Sequence, residues 1–146
     1  MHSELTCADI MSRDVVRVTV EASPAEAKAL LLEHDIRTLP VLDSGDRHLL
    51  GTVGPRELAN GHHSDVLPIS EAVTAGPDEA AVSLLPRLTD GVAHAVIVVD
   101  ETRHVVGVIS QTDLLATLGK SLAHNTTPGI MGGRGRGYSG RSGLAA

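Results

Sequence analysis

Ser110 and Asp113, in the stretch GVISQTDLL (residues 107–115), place a hydroxyl and a carboxylate three positions apart where a β-type run gives way to a helix-type run. A carboxylate at a helix start sits in the positive end of the helix dipole and can accept two donors, such as the adjacent hydroxyls of a ribose. A hydroxyl at the strand end can donate to a phosphate that also meets free amides of the helix N-terminus. Thr112 adds a second hydroxyl. The same residue types also serve simply to cap a helix, so capping alone and capping with ligand contact are both open from the pattern itself. An earlier stretch, GTVGPREL (residues 51–58), begins alike and then departs. Gly54 lacks the hydroxyl, Pro55 lacks a backbone N–H, and Glu57 carries its charge one methylene further out. The pattern predicts one competent site, lined chiefly by the later stretch, with the earlier cleft degraded or empty.

Other reactive residues form no constellation. Among the eight histidines, His62 and His63 are adjacent and point to opposite sides of an extended segment. His34, His48, His94 and His104 are scattered singly, with no cysteine support. No metal site and no catalytic residues are expected. The single cysteine, Cys7, reads as a small buried hydrophobe. It cannot form an internal disulfide, which fits a reducing cytosol.

The elements that would carry Ser110 and Asp113 recur. An amphipathic lead-in (CADIMS, PISEAV) precedes a β-type run (VVRVTV, AVTA) and an Ala/Leu-rich helix (SPAEAKALLLEHD, PDEAAVSLLPRLTDG). A β-branched run follows (TLPVLD, HAVIVVD), then a polar turn, a second strand (LLGTVG, VVGVIS) and a closing helix (PRELAN, QTDLLATLGK). In the first helix Ser23, Pro24 and Glu26 make a capping box with proline at the first helical position. Ala27, Leu30 and Leu31 then repeat at helical spacing. From about Ala123 the Gly/Arg/Ser-rich chain has no periodicity and is expected to be disordered.

With 146 residues the chain can bury a sizeable core, roughly 70% of its unfolded surface for this size. Aromatic residues make up 1%, so the core is built from Val, Leu, Ile and Ala, and stacking platforms for nucleic-acid bases are excluded. A formal net charge of -6 repels a phosphate backbone, so no nucleic-acid partner is expected. No leader is visible in MHSELTCADIM, and no stretch approaches the ~20 apolar residues that span a bilayer.

The segments ADIMSRDVVRV, HDIRTLPVLD and GVISQTDLL resemble the CBS domain, which occurs in tandem pairs called Bateman modules. The resemblance covers nearly all of Leu5 to Leu118. LLPRLTDGVAHAVIVVD is similar to the CBS pair fused behind HPP-type integral membrane domains, which would make this chain a fragment or a stand-alone relative. The implied fold is α/β (α+β): two β-α-β-β-α repeats packed as a pseudo-two-fold pair, at 5–60 and 66–122, with a linker at 61–65 and a tail at 123–146. The resemblance implies a cytoplasmic regulatory module, not an enzyme. It would require no cofactor and would bind an adenine nucleotide (AMP, ADP, ATP) or S-adenosylmethionine between its repeats. At matching positions Val16 and Ile36 would flank the base. Arg17, Arg37 and His94 would lie near phosphate. Ser110, Thr112 and Asp113 would meet ribose and phosphate. Taken alone, Arg37 reads equally as a surface arginine, and His94 as a partly buried or solvated strand residue. Ile97 stands where the family often has proline. The implied partners are a second copy, as a homodimer, and a regulated protein or membrane domain absent from the chain. The alternative is a dimerising interaction module with vestigial clefts.

Overall fold

The structure, a computed structural model, describes residues 5–45, 48–60, 65–89 and 93–125, the side chains of 121–125 excepted. The first repeat holds α1 (Cys7–Ile10), β1 (Val18–Thr19), α2 (Pro24–His34), β2 (Leu39–Leu42), β3 (Leu49–Val53) and α3 (Pro55–Asn60). The second holds β4 (Thr74–Ala75), a 3-10 turn (Ala81–Leu84), α4 (Leu85–Leu88), β5 (Ala95–Val99), β6 (Val105–Ser110) and α5 (Gln111–Asn125). Each repeat thus follows the expected order β-α-β-β-α and builds a three-stranded sheet, parallel on one side of the middle strand and antiparallel on the other.

The capping box of α2 forms as its sequence requires. Ser23 Oγ accepts from the Glu26 N–H at 3.1 Å, and Glu26 Oε1 accepts from the Ser23 N–H at 2.8 Å. The helix stops where Asp35 turns left-handed (φ 54) and Ile36 N–H donates to the Leu31 carbonyl. Ala27 and Leu31 are buried and Leu30 packs beside them, the stripe that the spacing predicts.

The second repeat departs from its predicted helix. Among the described residues of PDEAAVSLLPRLTDG, only the 3-10 turn and the four residues of α4 are helical. Ala80 is extended and bridges Thr6, which delays the start, and Pro86 breaks the run that follows. In a continuous helix it would lack the N–H for the preceding turn, so the chain restarts with Pro86 in a first turn, where none is needed. The PISEAV lead-in is not helical, and VVRVTV contributes only the two residues of β1. Residues 61–64 of the expected linker and 126–146 of the expected tail lie outside the described residues, while α5 continues to Asn125, past residue 122.

Ile97 has a clear structural effect. Across the antiparallel hairpins, Pro40 opposite Thr52 matches Ile97 opposite Val108. Ile97 donates its N–H to the Val73 carbonyl at 2.9 Å, and β4 pairs from Ile97 onward. Pro40 has no N–H to give, and β1 pairs only from Val41.

The two repeats exchange their lead-in segments. Ser70 pairs with Thr52 of β3 through two backbone hydrogen bonds of 2.9 and 2.8 Å. Ser12 pairs likewise with Val108 of β6, at 2.9 and 3.0 Å. Both crossings need a glycine beside them. A Cβ on Gly51 would collide with the Ser70 carbonyl oxygen, and one on Gly107 with the Met11 side chain. Leu67, just before Ser70, is buried with Val18, Ala27, Leu31, Leu39, Val41 and Val53 in the first repeat's core. A second cluster, Leu42, Leu49 and Ile97, unites the two sheets. Cys7 is fully buried, as expected, and desolvation pushes its thiol pKa up. Its N–H donates to the Glu79 carbonyl at 2.9 Å, anchoring α1 on the second repeat. No helix among the described residues is long and apolar enough to cross a membrane.

Two stability measurements follow from these contacts. In urea denaturation, Gly51→Ala should cost about 1–3 kcal/mol because the Ser70 backbone cannot retreat without breaking its pairing. Gly119→Ala, in open space within α5, should instead add about 0.5–1 kcal/mol. The Glu79 carboxylate is held below its ordinary pKa, first by the Gly76 N–H and then by Arg87. Its stabilising contribution is therefore complete above the ordinary value of 4.5 and is lost as pH falls through the lowered folded value. Glu79→Gln should flatten the acid limb of the stability-pH curve in that window and leave its slope at higher pH unchanged.

Candidate ligand-binding cleft

Four chain segments converge on one cavity. The α2–β2 connection brings Arg37 and Thr38, and the end of β3 brings Thr52 and Val53. The start of α3 adds Gly54, Pro55, Arg56 and Glu57. The exchanged lead-in supplies Ser70, Glu71 and Val73, and the start of β5 supplies Ala93, His94 and Ala95. They enclose about 510 Å³ between the two repeats, within the range of small-molecule sites. This cavity is bounded by the first repeat's ending, the one whose sequence predicted a degraded cleft.

Gly54 has a steric explanation. A Cβ there would stand 2.5 Å from the Arg37 carbonyl oxygen and 3.3 Å from Glu57 Oε1. The missing hydroxyl is replaced from the other direction. Glu57 Oε1 accepts the Gly54 N–H at 2.7 Å, and Oε2 accepts the Ser70 hydroxyl at 2.7 Å. At the matching start of α5, Ser110 Oγ accepts the Asp113 N–H at 3.0 Å. Each closing helix therefore carries one half of a capping box, and the halves are opposite. The Asp113 carboxylate is exposed and accepts no hydrogen bond from the described residues.

The residues singled out in the sequence fall into three groups. Arg37 and His94 line the cavity. Val16 and Ile36 pack against the first repeat's core and are outside the cavity lining, as is the exposed Arg17. Ser110 ends β6, and Thr112 and Asp113 lie in the first turn of α5, likewise outside that lining. His94 adjoins both places: it lines the cavity, and its carbonyl accepts the Gln111 N–H at 2.9 Å. Thr38, Arg56, Ser70, Glu71 and Val73 were not visible as site residues in the sequence. Nothing in a linear reading of the repeats puts the second lead-in against the first repeat's ending.

The cavity is suited to an anion with hydroxyls. The side chains of Arg37, Arg56 and His94 make no hydrogen bond or ion pair among the described residues. Two planar guanidinium forks can therefore meet phosphate oxygens. The Glu57 oxygens, fixed by Gly54 and Ser70, retain lone pairs for further donors. No group of three or more metal-ligating side chains occurs among the described residues.

The CBS domain family matches residues 7–61 and 64–120, so two matches in tandem span most of the sequence. The chain belongs to the CBS domain family. Curated relatives of this CBS pair include a homoserine O-acetyltransferase of Methanosalsum zhilinae, 25% identical over 122 residues. Another, from Methanosphaerula palustris, is 28% identical over 117 residues. The matches take in 80% and 77% of this chain but 25% and 24% of the relatives, so the chain spans about a quarter of their length. Among solved structures, the CBS domain pair of protein MJ0100 in complex with 5′-methylthioadenosine and S-adenosyl-L-methionine aligns with a TM-score of 0.71. It is 23% identical, over 82% of this chain and 99% of that one. CBSX2 in complex with AMP aligns at 0.70, with 18% identity over 81% and 98%. The CBS domain of a bacterial CNNM/CorC family Mg2+ transporter in complex with ATP aligns at 0.65, with 22% identity over 79% and 87%. These likenesses establish the CBS-pair fold.

The opposed caps can be tested directly. Gly54→Ser, which restores the hydroxyl found in the other repeat, should destabilise the protein by roughly 1–3 kcal/mol through the Arg37 carbonyl clash. Ser110→Gly should cost only about a few tenths of a kcal/mol, the usual penalty for glycine at an N-cap. Chemical denaturation of the two variants reads the difference.

Proposed function

We propose that this CBS pair is a regulatory ligand-sensing module that binds an adenine nucleotide in the cleft between its repeats, with one competent site per chain. The observation that carries the reading is the inter-repeat cavity, whose Arg37, Arg56 and His94 side chains are uncommitted among the described residues. CBS pairs of the same fold in complex with AMP, ATP or S-adenosyl-L-methionine support the adenine class. The two arginines favour a phosphate-bearing member over S-adenosylmethionine, whose sulfonium is itself cationic.

In this reading Arg37 and Arg56 take phosphate oxygens, and His94 adds a donor. The pre-oriented Glu57 carboxylate accepts a ribose hydroxyl, in the role that the sequence assigned to Asp113. Val73, Ala93 and Ala95 offer apolar contact to the base. The module performs no chemistry of its own. Binding acts on a second copy, or on a domain or partner beyond this chain, and only to the extent that the nucleotide prefers one arrangement of the repeats. The second reading, a dimerising module with vestigial clefts, is favoured by the fact that both Glu57 oxygens already hold partners.

A thermal-shift series with AMP, ADP, ATP and S-adenosylmethionine distinguishes these readings. At 100 times its dissociation constant a ligand specific for the folded state adds about 2.7 kcal/mol. A shift with at least one of the phosphate-bearing ligands is expected, abolished in Arg37→Ala and retained in Asp113→Ala. The reverse pattern would move the ligand to the start of α5. No shift with any of the four would leave the dimerising module.

A further inference from the structure

The charges that line the cavity are balanced rather than uniformly positive. Arg37 and Arg56 face Glu57 and Glu71, with His94 as the remaining titratable group among the described lining residues. The two carboxylates differ in freedom. Glu57 is pinned by the Gly54 N–H and the Ser70 hydroxyl, two neutral donors that fix the carboxylate and leave its charge in place. Glu71 follows Ser70 on the exchanged lead-in, is exposed, and has no hydrogen bond or ion pair among the described residues. Among the described residues no hydrogen bond or ion pair accounts for a carboxylate in that position. Its effect on a bound anion is repulsive.

Resting on the nucleotide reading above, we propose that Glu71 is a specificity-determining residue that restricts the cleft to adenine nucleotides with a single phosphate. A phosphate monoester carries about −1.5 to −2 charges at neutral pH, and Arg37 and Arg56 bring two guanidinium groups to the same lining to meet it. Each further phosphoryl group brings another negative charge into a cavity with no third arginine or lysine among its described lining residues. That added charge meets Glu71, whose backbone is held in place by the Ser70–Thr52 pairing. The cleft thus accepts the monophosphate and penalises the triphosphate through like-charge repulsion rather than through size, since its volume of about 510 Å³ is ample for either.

The experiment is isothermal titration of AMP and of ATP, without divalent cation, into the full chain and into Glu71→Gln. The wild type should bind AMP at least about tenfold more tightly than ATP, as one close like-charge contact in a partly exposed cleft warrants. Glu71→Gln should narrow that ratio at least about fivefold, chiefly by improving ATP, and raised salt should narrow the wild-type ratio in the same direction. Equal affinities in the wild type, or a change in Glu71→Gln that strengthens both ligands alike, would overturn the selectivity proposal and leave nucleotide binding intact. Absence of binding by both ligands to both proteins would overturn the nucleotide reading and the selectivity with it. The Glu71 side chain makes no hydrogen bond or ion pair among the described residues, so an unchanged melting temperature without ligand accompanies the expected result.

Discussion

Each repeat's lead-in is hydrogen-bonded to the last strand of the other repeat, Ser70 to Thr52 and Ser12 to Val108, and most of the architecture hangs on these two crossings. The sheets are small, and each has a first strand of only two residues. A two-residue strand adds little apolar cover to a three-stranded sheet. The crossing supplies the missing burial by delivering Leu67 into the first repeat's core. It also explains both glycines that recur in the hairpins, because a side chain at Gly51 or Gly107 would occupy the space of the incoming chain.

The cleft is a by-product of the same crossing. Ser70 cannot pair with Thr52 without bringing its hydroxyl to Glu57 and the next residues to the cavity wall. The first repeat then needs its serine-free ending. The Arg37 carbonyl packs against Gly54, and Glu57 caps the helix from within. The second repeat keeps the forward half of the cap, Ser110 to the Asp113 N–H. Helix stability is met at both ends by different atoms, which leaves one carboxylate committed and the other exposed.

Much of this was legible in the sequence. The repeat, the order of elements and the capping box at Ser23 and Glu26 all rest on local patterns, and local patterns survive folding. The helix expected across residues 77–91 was misjudged because its apolar spacing outweighed Pro86, which lacks an N–H, and because the Thr6–Ala80 bridge is not a local pattern. The cleft was the harder problem. Types at Gly54, Pro55 and Glu57 read as loss when compared with Ser110 and Asp113, because a comparison along the chain is blind to what approaches from the other repeat. Family resemblance is what singled out Arg37 and His94, and both line the cavity. Arg56, Ser70 and Glu71 acquire meaning only once the lead-in is known to cross.

The exchanged lead-ins also make the molecule a pair of mutual donors. A first repeat severed after residue 60 would lose the Ser70 segment and Leu67, leaving Thr52 without its partner and a hole beside Leu39 and Val53. A second repeat severed before residue 65 would keep Val108 without Ser12, and Gly107 without the Met11 side chain that fills the space beside it. Each half ends in an open strand edge shaped for the other half's peptide. The chain is therefore built for strand donation, and two fragments mixed together carry between them every piece needed to restore the whole.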